Sequence, residues 1–323
     1  MKSEGPLKIN DISEIDIVVP LYNEEKSVLV FHDRLVAALA GLPYNFKLLY
    51  IDDGSTDQTP IQLFSLTQDE RITVVRLSRN FGHQAALTAG MDLADGDVVI
   101  TLDGDGQHPP ELIPTMIAKY LDGFEIVQMQ RIDNAKTGFF KKITSRWFYW
   151  LINKLGEIKI SPGTSDFRLM SHAAILAFRE MKEYHKFIRG IIPWLGYPTV
   201  DVSYTAQERI AGDSKYTFKK MFTLAENAIF SFSLVPLRIS FGIGVGFLLL
   251  AVLEALYVAF FWITGRQSSL APGWSSIVFL ILITGGSLIV LISLLGIYIG
   301  QIHQEVKNRP GYIIQKQYNR KNE

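Results

Sequence analysis

Residues 97–110 read DVVITLDGDGQHPP, a short apolar run followed by two aspartates that one glycine separates. The run 97–102 predicts a buried strand, and the acidic turn after it predicts where that strand ends. Segments 15–19, 46–51 and 72–77 also have strand composition, and a helical pattern at 26–40 lies between the first two. Strands that alternate with helices predict an α/β domain with a mostly parallel sheet.

Acidic side chains follow the first, second and fourth of these strands, in the segments PLYNEE (20–25), DDGSTD (52–57) and DGDGQ (103–107). The carboxyl ends of parallel strands meet at one edge of a sheet, where ligands bind. Asp103 and Asp105, with the amide oxygen of Gln107, supply the oxygen ligands that Mg²⁺ or Mn²⁺ prefers. A solvated turn is the alternative for this segment alone. The buried strand before it and the second acidic strand end favour a metal site.

Composition excludes several classes of function. The 323 residues contain 32 basic and 32 acidic side chains, so the net charge of zero gives no indication of nucleic-acid binding. The chain has no cysteine, which excludes disulfides, thiolate metal sites and cysteine nucleophiles. The first strand is not followed by the Gly-x-Gly-x-x-Gly pattern, so a dinucleotide cofactor is disfavoured.

Two long apolar runs, about 239–264 and 275–302, predict a hairpin of two transmembrane helices, since about 20 apolar residues cross a bilayer. The loop between them has Arg266 as its one basic residue, whereas both flanks are rich in Lys and Arg. The positive-inside rule therefore predicts cytoplasmic flanks. Polar residues 1–10 predict no signal peptide, and hence a cytoplasmic first domain in a multi-pass protein of the cell membrane.

Two further segments, 136–154 and 214–238, combine basic with aromatic residues, which predicts amphipathic helices on the bilayer surface. Core-packing helices with a solvated basic face are the alternative. The predicted organisation is a cytoplasmic α/β domain at 1–213, an interfacial helix at 214–238, the two membrane helices within 239–302, and a cytoplasmic tail at 303–323.

Six motifs occur in a fixed order: VVPLYNEE (18–25), DDGS (52–55), RNFG (79–82), DGD (103–105), GTSDFR (163–168) and ERIAGDSKY (208–216). Together they resemble the inverting glycosyltransferases of family 2, which have a Rossmann-like GT-A fold. The likeness extends over about 15–216 and is greatest for the polyprenyl-phosphate branch, which includes dolichol-phosphate mannose synthases and bacterial bactoprenol glucosyltransferases. The Gln-x-x-Arg-Trp motif of processive synthases is missing, which favours a single transfer.

The resemblance implies transfer of one hexose, glucose from UDP-glucose, to polyprenyl (undecaprenyl) phosphate. It assigns the nucleoside to Pro20, Tyr22, Glu24 and Asp53, the metal and donor diphosphate to Asp103, Asp105 and Gln107, and phosphate oxygens to Arg131, Arg209 and Lys215, with Ser214 also at the substrate. Arg168 and Arg189 have two readings, as phosphate partners or as structural ion pairs.

Asp166 is the obvious general base, but an ionised lipid phosphate needs none, so we expect Asp166 to orient its neighbours. We expect His83, His108 and His185 to be local hydrogen bonders.

Other readings remain open at this stage. The donor is alternatively GDP-mannose or a UDP-amino-arabinose derivative. The chain is alternatively a non-catalytic nucleotide-binding subunit of a flippase, and a homo-oligomer is compatible with either function.

Overall fold

A computed structural model describes residues 12–132, 163–183, 186–205, 207, 235–265 and 273–319. The strands are β1 (Glu14–Leu21), β2 (Asn45–Asp52), β3 (Ile72–Leu77), β4 (Val98–Thr101), β5 (Ile126–Ile132), β6 (Thr164–Ser171), β7 (Thr199–Thr205) and β8 (Ile314–Tyr318). The helices are α1 (Val28–Leu39), α2 (Thr59–Leu66), α3 (His83–Leu93), α4 (Ile113–Leu121), α5 (His172–Arg179), α6 (Ile188–Trp194), α7 (Val235–Ile263) and α8 (Trp274–Val306).

The strands form one eight-stranded sheet in the order β7-β5-β6-β4-β1-β2-β3-β8. The four central strands β4, β1, β2 and β3 are parallel to one another, as the sequence predicts. β6 runs antiparallel to both β4 and β5, and β8 runs antiparallel to β3. The carboxyl ends of the central strands therefore lie at one edge of the sheet, and β6 begins at that edge.

The centre of the sheet is buried because its strands are apolar on both faces, which is typical of parallel strands covered by helices. Every residue of β1 after Glu14 is buried. Helix α3 packs closely on β1, since a Cβ atom at Gly90 would lie 2.1 Å from Val18 Cγ1. Helix α1 buries Phe31 and Leu35. This packing fixes the loops that follow β1, β2 and β4.

The predicted strand boundaries agree with the structure to within two residues. The fourth strand is shorter than predicted, and the first extends through Pro20 to Leu21. Proline fits there because the last pair between β1 and β4 is Val18 with Thr101. Pro20 lies two residues past that pair, where the pairing of β1 with β4 has ended, so its missing N–H is tolerated.

Helices α7 and α8 contact each other and belong to a second compact unit. Within the described residues, one stretch, Ile283–Val306, is long and apolar enough to cross a membrane by length and composition. The two-helix membrane hairpin is therefore not confirmed and stays a prediction. The predicted interfacial helices at 136–154 and 214–238 lie outside the described residues, apart from the last four of the second segment, which begin α7.

The segment predicted as a cytoplasmic tail contains the eighth strand. Strand β8 pairs with β3 at one edge of the sheet, and Ser78 N donates to Ile313 O at 2.9 Å. The hydroxyl of Tyr312 donates to Asp92 Oδ2 on α3 at 2.9 Å. Residues from Pro310 onward belong to the same compact unit as the sheet.

Candidate active site

The loops after β1 and β2 interlock at the carboxyl edge of the sheet. Asn23 N donates to Ser55 Oγ at 2.9 Å, and Thr56 N donates in return to Asn23 Oδ1 at 2.9 Å. Asp57 Oδ1 accepts the N–H of Thr59, the first residue of α2, at 3.0 Å. These hydrogen bonds fix the positions of the two loops relative to each other, and the loops together form a surface at the strand ends that a ligand can contact.

Three of the residues assigned to the nucleoside lie at the end of β1 or in the loop after it. Pro20 is buried in β1, Tyr22 is half-buried just after it, and the carboxylate of Glu24 accepts the hydroxyl of Ser27 at 2.7 Å. The structure brings these residues together at one strand end. Their contact with a nucleoside stays a prediction.

Asp53 has a structural partner that the sequence does not indicate. Its two oxygens accept the N–H groups of Phe81 and Gly82 at 2.7 and 2.9 Å. Burial raises the pKa of Asp53, while these two backbone hydrogen bonds oppose the rise. Gly54 leaves room for the same loop, because a Cβ atom there would lie 2.4 Å from the carbonyl carbon of Arg79. Asp53 therefore anchors the RNFG loop (79–82) above the strand ends.

The acidic pair follows β4. The Oδ1 atom of Asp103 is buried and has no hydrogen-bond partner within the described residues, and Asp105 Oδ1 accepts the N–H of Gln107 at 3.0 Å. Gly104 keeps the turn against β1, since a Cβ atom there would lie 2.3 Å from Leu21 Cδ2.

Among the described residues, His83 is a charged neighbour of the Asp103 Oδ1 atom, and its Nε2 lies 3.3 Å away without making a hydrogen bond to it. A buried carboxylate oxygen that accepts no hydrogen bond, beside a second carboxylate, fits a hard divalent cation.

The described ranges contain no cluster of three or more His, Cys, Asp and Glu side chains that could hold a metal ion by themselves. A cation bound at Asp103 and Asp105 would take its further oxygens from Gln107, from a bound diphosphate or from water. The predicted phosphate ligand Arg131 lies beside this group, with Nη1 3.4 Å from Gln107 Oε1.

Asp166 lies next to the acidic pair at the start of β6. The hydroxyl of Thr101, at the end of β4, donates to the Asp166 carbonyl at 2.6 Å and fixes its position. The Asp166 carboxylate is buried and accepts from Arg168 Nη2 at 2.9 Å and from Arg189 Nη2 at 2.8 Å. His83 Nε2 lies 3.4 Å from Asp166 Oδ2.

The electrostatics keep Asp166 ionised. Burial by itself would raise the pKa of Asp166, but the positive charge of Arg189, the hydrogen bond from His83 and the charge of Arg168 hold it well below the usual carboxyl value. A carboxylate held this strongly ionised is a poor proton acceptor at neutral pH. This state agrees with the expectation that Asp166 orients its neighbours, and its catalytic role stays a prediction.

Arg168 and Arg189 differ in what can reach them. Arg168 is 1% exposed, and burial lowers its pKa to about 10, so it stays cationic at neutral pH. Its remaining contact is with the carbonyl of Ser165, which makes it a structural ion pair of Asp166. Arg189 pairs with the same carboxylate, but its side chain is 23% exposed at the start of α6.

His108 and His83 have different surroundings: His108 has a structural role, and His83 lies in the candidate site. His108 Nδ1 accepts the N–H of Asp103 at 2.9 Å and its ring stacks on Phe167, which confirms the prediction of a local hydrogen bonder. His83 does more, because its Nε2 lies 3.3 Å from Asp103 and also close to Asp166. Burial lowers the pKa of His83, but the two carboxylates raise it to about 9. The expectation that His83 is only a local hydrogen bonder is therefore too narrow, because both contacts join segments that are distant in the sequence.

Arg209, Ser214 and Lys215, which the family pattern assigns to the phosphates and substrate, lie outside the described residues, as does His185. Their roles stay predictions.

Known proteins resemble this chain over nearly its whole length. The model of the family "Glycosyl transferase family 2" matches residues 16–180. A prophage-derived bactoprenol glucosyl transferase of Shigella flexneri is 39% identical over 307 residues, which cover 94% of this chain and 98% of that protein. A prophage bactoprenol glucosyl transferase homolog of Escherichia coli is 37% identical and covers 94% of this chain and 99% of that one.

Among solved structures, glucosyl-3-phosphoglycerate synthase from Mycobacterium tuberculosis, with Mn²⁺, UDP-glucose and phosphoglyceric acid, has a TM-score of 0.43 and 17% identity; the match covers 68% of this chain and 78% of that one. The match to the family model includes the interlocked strand-end loops, the acidic pair and Asp166. With relatives above 30% identity over 94% of its length, the chain belongs to glycosyltransferase family 2.

Proposed function

We propose that this enzyme transfers one glucose from UDP-glucose to a polyprenyl phosphate at the cytoplasmic face of a membrane, with inversion at the anomeric carbon. The observation that carries the proposal is the state of Asp166, which two guanidinium groups and an imidazole surround. The most prominent candidate base of the site is therefore unsuited to remove a proton.

An acceptor that is already ionised requires no such base. A sugar hydroxyl must lose a proton as it attacks, whereas a phosphate monoester has a second pKa of about 6 and carries an ionised oxygen at neutral pH. The protein then has to align two anions, offset their repulsion and leave the phosphate free to attack the anomeric carbon from the face opposite the diphosphate. Arg131 and Arg189 supply positive charge for that task.

The relatives support the choice of substrates. Proteins described as bactoprenol glucosyl transferases share 37–39% of their residues with this chain over nearly its full length. Bactoprenol is a polyprenol, so we take its phosphate as the acceptor class and glucose as the sugar. UDP as the nucleotide rests on the family resemblance.

Asp103, Asp105 and Gln107 would hold Mg²⁺ or Mn²⁺ with the donor diphosphate. The cation supplies charge neutralisation for the departing diphosphate when it is bound. Asp103 has a buried oxygen that accepts no hydrogen bond in the described part of the protein, with His83 Nε2 at 3.3 Å as a neighbour that a cation would have to displace or neutralise.

A membrane anchor would bring the site to a lipid substrate. Both long helices expose large apolar side chains: on α7 these include Phe241, Leu249 and Leu253, and on α8 Ile289, Val290 and Ile292. Water disfavours such continuous apolar surfaces, and lipid or a partner protein would cover them. We propose that α7 and α8 form the predicted hairpin, with its basic flanks in the cytoplasm.

The test is product analysis with the full chain in lipid nanodiscs. Polyprenyl phosphate is offered with UDP-glucose, UDP-galactose, UDP-N-acetylglucosamine or GDP-mannose, and the product's anomeric configuration is read by NMR. We expect a β-linked glucosyl lipid from UDP-glucose. A clear preference for another donor rejects the proposed sugar, and nucleotide binding with no transfer to any lipid phosphate supports the flippase-subunit alternative.

A further inference from the structure

The side chain of His108 closes the acidic turn that follows β4. Its Nδ1 atom accepts the N–H of Asp103 at 2.9 Å. A backbone nitrogen only donates, so Nδ1 is the ring nitrogen that carries the lone pair. Two glycines lie between these residues, and Gly106 has a φ angle of 83°. Because glycine is the most flexible residue, a contact that closes this turn restrains the carboxylate at its start.

The imidazole ring of His108 is held by two strands of the sheet. The residue is 5% exposed, and its ring stacks on Phe167 of β6 with centroids 5.3 Å apart and planes at 19°. The ring of Tyr204 of β7 lies at a steep angle to it, with centroids 6.1 Å apart, and Phe167 and Tyr204 also pack against each other. A ring packed in this way has one orientation, so its lone pair has a fixed position.

The residue that His108 holds is a proposed ligand of the cation. The Nε2 atom of the same ring lies 3.7 Å from Asp103 Oδ2, so the ring faces both the backbone and the carboxylate of Asp103. The Oδ1 atom, which His83 Nε2 approaches to 3.3 Å, accepts no hydrogen bond within the described residues. We propose that His108 is a positioning residue that fixes Asp103 for the cation, an inference that rests on the proposed metal site.

A side chain that orients a metal ligand affects metal affinity without touching the metal. Loss of such a group costs about 10- to 100-fold in metal affinity or activity. His108 orients Asp103 by accepting a hydrogen bond, which involves no change in the charge of the ring. The alternative is that the ring only fills the space beside Phe167 and Tyr204. The first role needs an acceptor at the position of Nδ1, whereas the second needs a flat ring.

Three variants separate these two roles. His108→Phe keeps the flat ring and removes the acceptor. His108→Asn loses the ring but places an amide oxygen where Nδ1 lies, because both atoms are bonded to Cγ. His108→Gln also loses the ring and moves its amide one carbon further from the backbone. The matched control is His172→Phe, since His172 follows the other end of β6 and its ring contacts the carbonyl of Gly96.

Titration calorimetry of the full chain in lipid nanodiscs, with Mn²⁺ as titrant and UDP present at a fixed high concentration, measures cation affinity without turnover. We expect the Kd for Mn²⁺ to rise about 10- to 100-fold in His108→Phe and His108→Gln, and less than about threefold in His108→Asn and in the control. Wild-type affinity in a folded His108→Phe would overturn the inference. If His108→Phe does not fold, the two amide variants decide, and equal Mn²⁺ affinity of Asn and Gln would then overturn it.

The Mn²⁺ dependence of the transfer rate gives a readout that a loss of stability does not change. We expect His108→Phe to be weakly active at limiting Mn²⁺ and to gain activity well beyond the concentration that saturates the wild type. A variant that is only less stable would keep the Mn²⁺ dependence of the wild type, and that result would also overturn the inference.

The binding measurement distinguishes this inference from the proposed function. If the wild-type chain binds Mn²⁺ with UDP but transfers nothing to polyprenyl phosphate, the proposed function fails, and the Mn²⁺ affinities of the variants still decide the role of His108. If the wild-type chain binds no Mn²⁺, the metal site and the positioning role of His108 fail together.

Discussion

Replacing Asp166 with asparagine tests the proposed chemistry most directly. The amide keeps the shape of the side chain but removes the negative charge that two guanidinium groups share. Arg168 is 1% exposed and would lose the carboxylate that it pairs with, which leaves Asp103 as the more distant negative charge that favours its cationic form. Breaking a buried ion pair in this way costs about 3–5 kcal/mol, so we expect the unfolding free energy to fall by that amount while the protein stays folded at low temperature.

The expected loss of activity follows from misplacement of Arg189. A hydrogen bond to a charged group contributes about 1.5–3 kcal/mol, which corresponds to a loss of about 10- to 150-fold in kcat/KM at saturating metal. Loss of a true general base costs about 100- to 10,000-fold, so the two ranges meet and magnitude alone does not decide. The pH dependence does decide.

The sign of the pH effect follows from the depressed pKa of Asp166. Its carboxylate is ionised in both the folded and the unfolded chain between pH 6 and 9, so its contribution to stability is constant there. That contribution is lost only when the pH falls below the unfolded value of about 3.9 and on through the lower folded pKa. Removing the Asp166 charge also removes part of what raises the pKa of His83, so the His83 titration should shift to lower pH in the variant. Apart from that shift, we expect the pH–rate profiles of the wild type and Asp166→Asn to be parallel from pH 6 to 9. A variant that is nearly inactive at pH 6 and recovers as the pH rises would show that Asp166 removes a proton, and would refute the argument.

Three other predictions follow from the same geometry. Asp105→Ala should lose most of its activity and its response to Mg²⁺ or Mn²⁺ with an unchanged melting temperature; full turnover of this variant in chelator would contradict the metal site. Gly54→Ala should destabilise the fold by more than Gly41→Ala, since both glycines have positive φ angles but only the first has backbone within 3 Å of the new Cβ atom; equal melting temperatures would contradict this. For the proposed topology, a cysteine at Ser269 should react with an impermeant reagent from outside, and one at the exposed Gln315 should not; the reverse pattern excludes cytoplasmic flanks.

The sequence is sufficient to predict the centre of the sheet because the patterns there are local. An apolar run of strand length followed by an acidic, glycine-containing turn specifies both the strand and its end, as at Thr101 to Gly106. For the same reason Asp105 and Gln107 contact each other in the turn after β4, with Arg131 beside Gln107, and their role at a metal stays a prediction.

Such local patterns do not predict contacts between segments that are distant in the sequence. Nothing near Asp53 indicates that its oxygens hold Phe81 and Gly82, which are 28 and 29 residues away. Likewise, no acidic residue or histidine lies next to His83 in the sequence. Its contacts with Asp103 and Asp166 exist only because the sheet places the end of β4 and the start of β6 beside it. Pairing across a sheet is decided by tertiary packing, which a single sequence does not encode locally.

The eighth strand shows how such a distant contact bears on function. Its sequence, IQKQY, has little apolar pattern and exposes most of its side chains, so periodicity gives no strand signal. Its partner β3 ends at Leu77 and leads directly into the loop that Asp53 holds, and the N–H of Ser78 at that junction donates to Ile313. The end of the chain therefore supports the strand from which the RNFG loop starts, while Asp53 fixes where that loop ends. Because His83 is the next residue, the position of its ring between the two carboxylates depends on both supports.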